Sequence, residues 1–169
     1  MNEHDHSFRF NIGFIIAEAS GYSREMPLEI PKATIEPDLS LQNVYGDVIF
    51  TRTSEGIFVQ ARIGAYLQCE CSRCLDPFLF NCKTEFSELY AFASHARADT
   101  ELIVPPTGII DLSSLVREYL LLEMPINPIC MADCKGLCPV CGEKLNKNDH
   151  IHVEEIEDPR LAVLKTLLE

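Results

Sequence analysis

The sequence contains no tryptophan, only eight glycines in 169 residues, and 14 Lys and Arg against 26 Asp and Glu. Each shortage excludes something. The net charge of −12 argues against a broad phosphate-gripping surface, which must be rich in Lys and Arg, and favours a basic partner or simple solubility. The charge is distributed, with −4 over residues 1–68, −5 over 69–129 and −3 over 130–169, so no block is basic and no acidic tail accounts for it. No uninterrupted apolar run approaches the length of a membrane span, and the one at 119–124 is broken by Glu123. The first seven residues lack a basic stretch leading into an apolar one, so no secretory signal and a cytoplasmic location are expected, with no membrane partner. Glycine-rich phosphate loops, a G-x-S-x-G elbow and an H-E-x-x-H helix are all missing. Glu154-Glu155 with Glu157-Asp158 reads as a charge run ahead of a helix, not as a catalytic carboxylate pair. No catalytic residue and no small-molecule substrate are expected.

Hydrophobic residues make up 47% and charged residues 24% of the chain, an ordinary globular balance at a length suited to one domain. The pattern predicts an α+β fold: an antiparallel β meander or barrel-like body over residues 1–110, followed at 111–169 by a helix, a cysteine-rich zinc-knuckle segment and a C-terminal helix packed on that body as one unit. Phe8, Phe10, Ile12 and Phe14 alternate with polar residues or glycine and predict a first strand. Residues 20–40, with Pro27, Pro31 and Pro37, read mostly as connection with a short strand at 28–30. Residues 44–53, the turn Ser54-Glu55-Gly56 and the alternating Ile57 to Leu67 predict a hairpin. Beyond Asp76-Pro77, Phe78, Phe80, Cys82 and Phe86 fall on one face of a further strand. Asp111 is the expected N-cap of a helix at 112–123 whose stripe of Leu112, Leu115, Val116, Tyr119, Leu120 and Leu122 would pack on the sheet. Asp158 and Pro159 open a last helix.

Eight cysteines in a chain expected in a reducing compartment favour metal ligands or buried thiols over disulfides. The densest run is Cys130-x3-Cys134-x3-Cys138-x2-Cys141, then His150-x-His152, in a stretch short of large apolar residues. Cys138-Pro139-Val140-Cys141-Gly142 has the composition of a metal knuckle, in which two thiolates meet one ion across a tight turn and glycine allows main-chain N–H groups to face the sulfurs. The expected site is one closed, structural zinc held by Cys134, Cys138, Cys141 and His150, with Cys130 and His152 as alternates. Cys71 and Cys74 are more ambiguous: structural thiols, a contribution to the metal, or a redox pair, the last weakened because a strand rather than a helix follows. Cys82 reads as a buried face residue.

Cys71-Ser-Arg-Cys74-Leu75 after a long hairpin, Cys134-Lys-Gly-Leu-Cys138-Pro-Val-Cys141-Gly with Leu145-Asn146, and Asp158-Pro-Arg-Leu-Ala162 together resemble the YceD family of large-subunit ribosomal RNA accumulation proteins. The resemblance implies a non-enzymatic factor supporting accumulation of 23S ribosomal RNA and biogenesis of the large ribosomal subunit. The implied partners are large-subunit assembly intermediates, met through a basic ribosomal protein or through precursor rRNA at a local basic spot. Family relatives tend to carry Cys-x-Cys where this chain has His150-x-His152, and imidazole replaces thiolate readily at zinc. Lys144 stands where relatives often have Asn. Some members lack the cysteines, so the resemblance casts the metal as a staple of the fold. The competing readings are a thiol redox protein using Cys71 and Cys74, and a zinc-dependent DNA-binding regulator that the charge disfavours.

Overall fold

The computed structural model describes residues 7–97, 102–148, 150 and 152. Its elements are β1 (Arg9–Asn11), α1 (Gly13–Ile16), β2 (Ser23–Ile35), β3 (Leu39–Arg52), β4 (Gly56–Glu70), β5 (Pro77–Ala91), β6 (Ile109–Asp111) and α2 (Ser113–Leu122). Strands β2 to β5 form a four-stranded antiparallel meander in sequence order, while β1 pairs with β6 in a separate two-stranded ribbon.

The hairpin expected around residue 55 is present. Val48 pairs with Ala61 and Phe50 with Val59, and all four are buried, so the period-2 pattern places one face of each strand inside. The same alternation carries across to β5, where Ala61 faces Phe86 and Ala65 faces Cys82. Above this face sits α2, with Leu115, Val116 and Leu120 buried and Tyr119 stacked on Phe86 at 4.6 Å between ring centres. Phe10 of the ribbon meets Phe50 at 5.3 Å. Each fully buried side chain of this size contributes on the order of 1.5–3 kcal/mol. Among the described residues no helix is long and apolar enough to cross a membrane.

Four expectations are corrected. The body is an open sheet and not a barrel: β2 and β5 are its two edges, and α2 touches both, covering the apolar face that closure would otherwise enclose. The passage at 20–40 is mostly strand, because β2 runs 13 residues. Proline is tolerated there since β2 is an edge strand, where an N–H facing away from the neighbour is dispensable. Pro31 falls at the gap between the pairs Ile30–Val44 and Lys32–Gln42, beside the irregularity that β3 makes at residues 42–45. The first strand stops at Asn11. Ile12 accepts hydrogen bonds from the N–H groups of Ile15 and Ile16, the Asn11 side chain accepts one from the Gly13 N–H at 3.0 Å, and the chain turns helical, which leaves Phe14 exposed. Asp111 is not the N-cap expected: that position is Leu112, which makes no side-chain cap hydrogen bond, and Asp111 stands one residue earlier, where its Oδ1 accepts the Ser113 N–H at 2.9 Å. The expected C-terminal helix lies outside the described residues.

Candidate metal centres

The β4–β5 connection, residues 71–76, is a tight knuckle. The Leu75 N–H donates to the Cys71 carbonyl and the Cys71 N–H to the Asp76 carbonyl, both at 2.9 Å, and Leu75 takes a positive φ of 58°. This closure brings Cys71 and Cys74 to one side. After α2 the chain returns to the same end of the sheet. The Ser72 N–H donates to the Pro128 carbonyl at 2.8 Å and the Leu137 N–H to the Arg73 carbonyl at 3.1 Å, while the Arg73 guanidinium donates to the Cys134 carbonyl at 2.9 Å. Gly136 makes this docking possible: its φ is +78°, and a Cβ there would lie 3.1 Å from the Arg73 carbonyl oxygen. Lys144 pairs with Asp76 across the same junction.

Cys71, Cys74, Cys130 and Cys134 thereby converge, with their sulfurs all within 4.8 Å of one another. The Cys71–Cys134 sulfurs are 3.9 Å apart and the Cys74–Cys130 sulfurs 3.7 Å. These are not disulfides, whose sulfurs lie at about 2.05 Å. They match the edge of a tetrahedron with zinc–sulfur bonds of about 2.3 Å, which is about 3.8 Å. The surroundings suit thiolate: the Cys130 N–H points at the Cys71 sulfur at 3.4 Å, and the Asn146 amide donates to the Cys134 sulfur at 3.2 Å. Backbone N–H groups, that of Cys74 foremost, lower the Cys71 thiol to about 6 against the effect of burial. Burial, with the neighbouring sulfurs, pushes Cys130 up to about 12. A cation bound among these sulfurs would favour the thiolate form of each.

A second group follows at once. The Cys138 N–H donates to the Glu143 carbonyl at 2.8 Å and the Gly142 N–H to the Cys138 carbonyl at 2.9 Å, with Gly142 at φ +77°. This turn places Cys138 and Cys141 within 4.8 Å of each other and of His150 and His152. The Cys141 sulfur lies 3.1 Å from His150 Nε2, somewhat inside the about 3.6 Å edge of a zinc site with one sulfur and one nitrogen. His150 Nδ1 is 3.0 Å from the Asn148 carbonyl, which assigns the proton to Nδ1 and leaves the Nε2 lone pair facing the sulfurs. The N–H groups of Cys141 and Val140 lower the Cys138 thiol to about 6.

The residues expected in one site are thus divided. Cys138, Cys141 and His150 come together and His152 joins them, whereas Cys134 belongs with Cys130 and with Cys71 and Cys74. The four-residue spacing from Cys134 to Cys138 does not bring the two into one group because the chain turns at Gly136 to dock on Arg73. Cys69 and Cys82 lie in the main core. Sequence reasoning did not find Arg73, Asp76 or the role of Asn146, which also accepts the Lys135 N–H at 2.8 Å. The C-x2-C spacings were visible, but nothing local marks their partners.

Both donor sets, four sulfurs and two sulfurs with two imidazoles, could hold a soft divalent ion. A redox role for Cys71 and Cys74 is disfavoured by their exposures of 0% and 1%, since an exchanging thiol must be reached by its partner.

Residues 59–168 match the family model described as large ribosomal RNA subunit accumulation protein YceD. A Mycobacterium tuberculosis protein named only as uncharacterised is 33% identical over 142 residues, covering 80% of this chain and 63% of that protein, and a Mycobacterium leprae protein so named is 28% identical over 140 residues, covering 80% and 60%. The chain therefore spans somewhat under two thirds of the length of these relatives. The Arabidopsis thaliana large ribosomal RNA subunit accumulation protein YCED homolog 1, chloroplastic, is 44% identical over 43 residues, 25% of this chain and 13% of that one. No solved structure matches. With the family model spanning most of β4, all of β5 and α2, and every cysteine of both groups, the chain belongs to the YceD family of large ribosomal RNA subunit accumulation proteins.

Proposed function

We propose that the protein is a non-enzymatic factor that supports accumulation of large-subunit ribosomal RNA and assembly of the large ribosomal subunit in the cytoplasm, with zinc as a structural staple. The family match over residues 59–168 carries this reading. The charge of −12 shapes how it would act: a polyanionic surface repels naked RNA and attracts cationic ribosomal proteins, so the partner is a basic protein of the nascent subunit, or rRNA reached at a confined basic spot. A staple rather than a catalytic ion is supported by donor sets that can fill all four positions of a tetrahedral ion, leaving none for substrate.

Tagged protein captured from growing cells, followed by identification of bound protein and RNA, tests the reading. Enrichment of large-subunit proteins or precursor rRNA, lost at raised salt, is expected. Recovery of neither, together with normal large-subunit rRNA levels in cells lacking the protein, would refute it.

A further inference from the structure

The sequence points to one zinc; the geometry points to two ions. We infer that the chain binds two zinc ions in separate coordination spheres: a buried one on Cys71, Cys74, Cys130 and Cys134 that welds the β4–β5 connection to the segment after α2, and an exposed one on Cys138, Cys141, His150 and His152 that closes the following loop and exchanges first. This rests on the metal part of the function proposed above and is independent of the ribosomal part.

Three observations carry it. The first is convergence: each set brings four ligand atoms within 4.8 Å of one another, and eight ligands exceed what one tetrahedral ion can take. The second is that Cys71, Cys74 and Cys134 form their own small buried cluster, with Cys130 and Phe78 against it, apart from the main core in which Cys69 and Cys82 are packed. Thiols acting as small hydrophobes would join the core; here they pack chiefly against each other, with N–H donors aimed at two of the sulfurs. The third is the contrast in access. In the first set three ligands are buried and Cys130 is half-buried, whereas in the second Cys141 and His152 are exposed, His150 is half-buried and only Cys138 is buried.

The division also separates the roles. The sulfur pairs Cys71–Cys134 and Cys74–Cys130 are 63 and 56 residues apart in the chain, so an ion there closes long loops. The second set spans residues 138–152 and organises only local chain. Removing the second ion should therefore loosen a loop, and removing the first should undock the segment from the sheet.

Elemental analysis of the full chain should give two equivalents of zinc. The protein reconstituted with cadmium-113 should show two resonances, one in the range of four thiolates and one in that of two thiolates with two nitrogens. A colorimetric chelator should remove one equivalent at least tenfold faster than the other. The His150→Ala, His152→Ala double variant should lose the fast equivalent and its resonance while keeping the slow one. The Cys71→Ser, Cys134→Ser variant should lose the slow one, but because it could also fail to fold, the wild-type cadmium spectrum stands as the deciding measurement. A single equivalent with one resonance would overturn the two-ion inference and leave a one-zinc staple standing. No bound metal would overturn both. Capture of ribosomal components bears on neither, so the readings fail separately.

Discussion

Replacing Gly46 with alanine should be among the most damaging single-methyl changes in this fold. Gly46 lies within β3 at φ +148°, opposite Leu28 on one side and Ile63 on the other. A Cβ there would lie 2.0 Å from the Arg62 carbonyl oxygen and 3.0 Å from its carbon, where close carbon–oxygen contact is about 3.3 Å. The obstacle is backbone, so β3 and β4 must part by about 1 Å, weakening roughly two ladder hydrogen bonds worth about 1 kcal/mol each. The positive φ adds about 1–3 kcal/mol for any residue with a side chain. Together these give about 3–5 kcal/mol, a large fraction of a typical stability of about 5–15 kcal/mol. Gly21 supplies the control: its φ is +95° but a Cβ meets nothing within 4 Å, so Gly21→Ala should cost only the conformational part, about 1–2 kcal/mol. Urea unfolding followed by far-UV circular dichroism and tyrosine fluorescence is the assay. With a slope of about 2 kcal/mol per molar, the midpoint should fall by roughly 2 M for Gly46→Ala and by less than about 1 M for Gly21→Ala. Equal shifts would refute the claim that the β3–β4 approach requires glycine.

Asp111→Ala removes both the acceptor for the Ser113 N–H and the Arg9 partner at 2.9 Å. Since that ion pair is half-exposed it contributes little, and the expected loss of about 1 kcal/mol is chiefly the hydrogen bond to Ser113; an Arg9→Ala variant that loses as much in thermal melts would contradict this. Burial, aided by Asp111 and Glu88, raises the Tyr90 phenol to about 12. Because the folded value lies above the unfolded one near 10, the associated stability is intact below about pH 10 and is lost as pH rises through 10 to 12. Tyr90→Phe should flatten the stability curve in that window, and an unchanged curve in denaturant titrations would count against it. Burial also raises the Cys69 and Cys82 thiols, so their alkylation should proceed only at the rate of unfolding; rapid modification under native conditions, mapped by mass spectrometry, would show that they are not core residues.

How much was legible depended on range. The hairpin at residues 44–67 and the strand carrying Cys82 and Phe86 announce themselves by alternation, which is local. The strand at 23–35 did not, because proline is weighed as a breaker until the strand is known to be an edge. The alternation of the first strand continues through Ile12 and Phe14 although the strand ends at Asn11, because alternation cannot show that Gly108 on a distant loop takes the Ile12 N–H at 2.8 Å. The metal ligands were legible as a set and illegible as a partition. Spacing identifies Cys138 and Cys141 as a turn, but the partners of Cys130 and Cys134 come from 56 to 63 residues away, and no local pattern specifies that return.

By itself the sequence determined the antiparallel body, the buried positions Leu115, Val116 and Leu120 of α2, though not Leu122, which is exposed, and the presence of more ligands than one ion needs, since these follow from residue chemistry and periods of two or about 3.6 positions. Tertiary structure alone decided that the sheet stays open beneath α2 and that the knuckle at 71–76 meets Cys130 and Cys134. It also decided that Cys138 and Cys141 keep company with both histidines. The physical reason is the same in each case: these outcomes depend on which distant backbone groups are satisfied together, and in particular on the docking of residues 128–137 against Ser72 and Arg73, which pulls Cys134 to one centre and leaves Cys138 to the next.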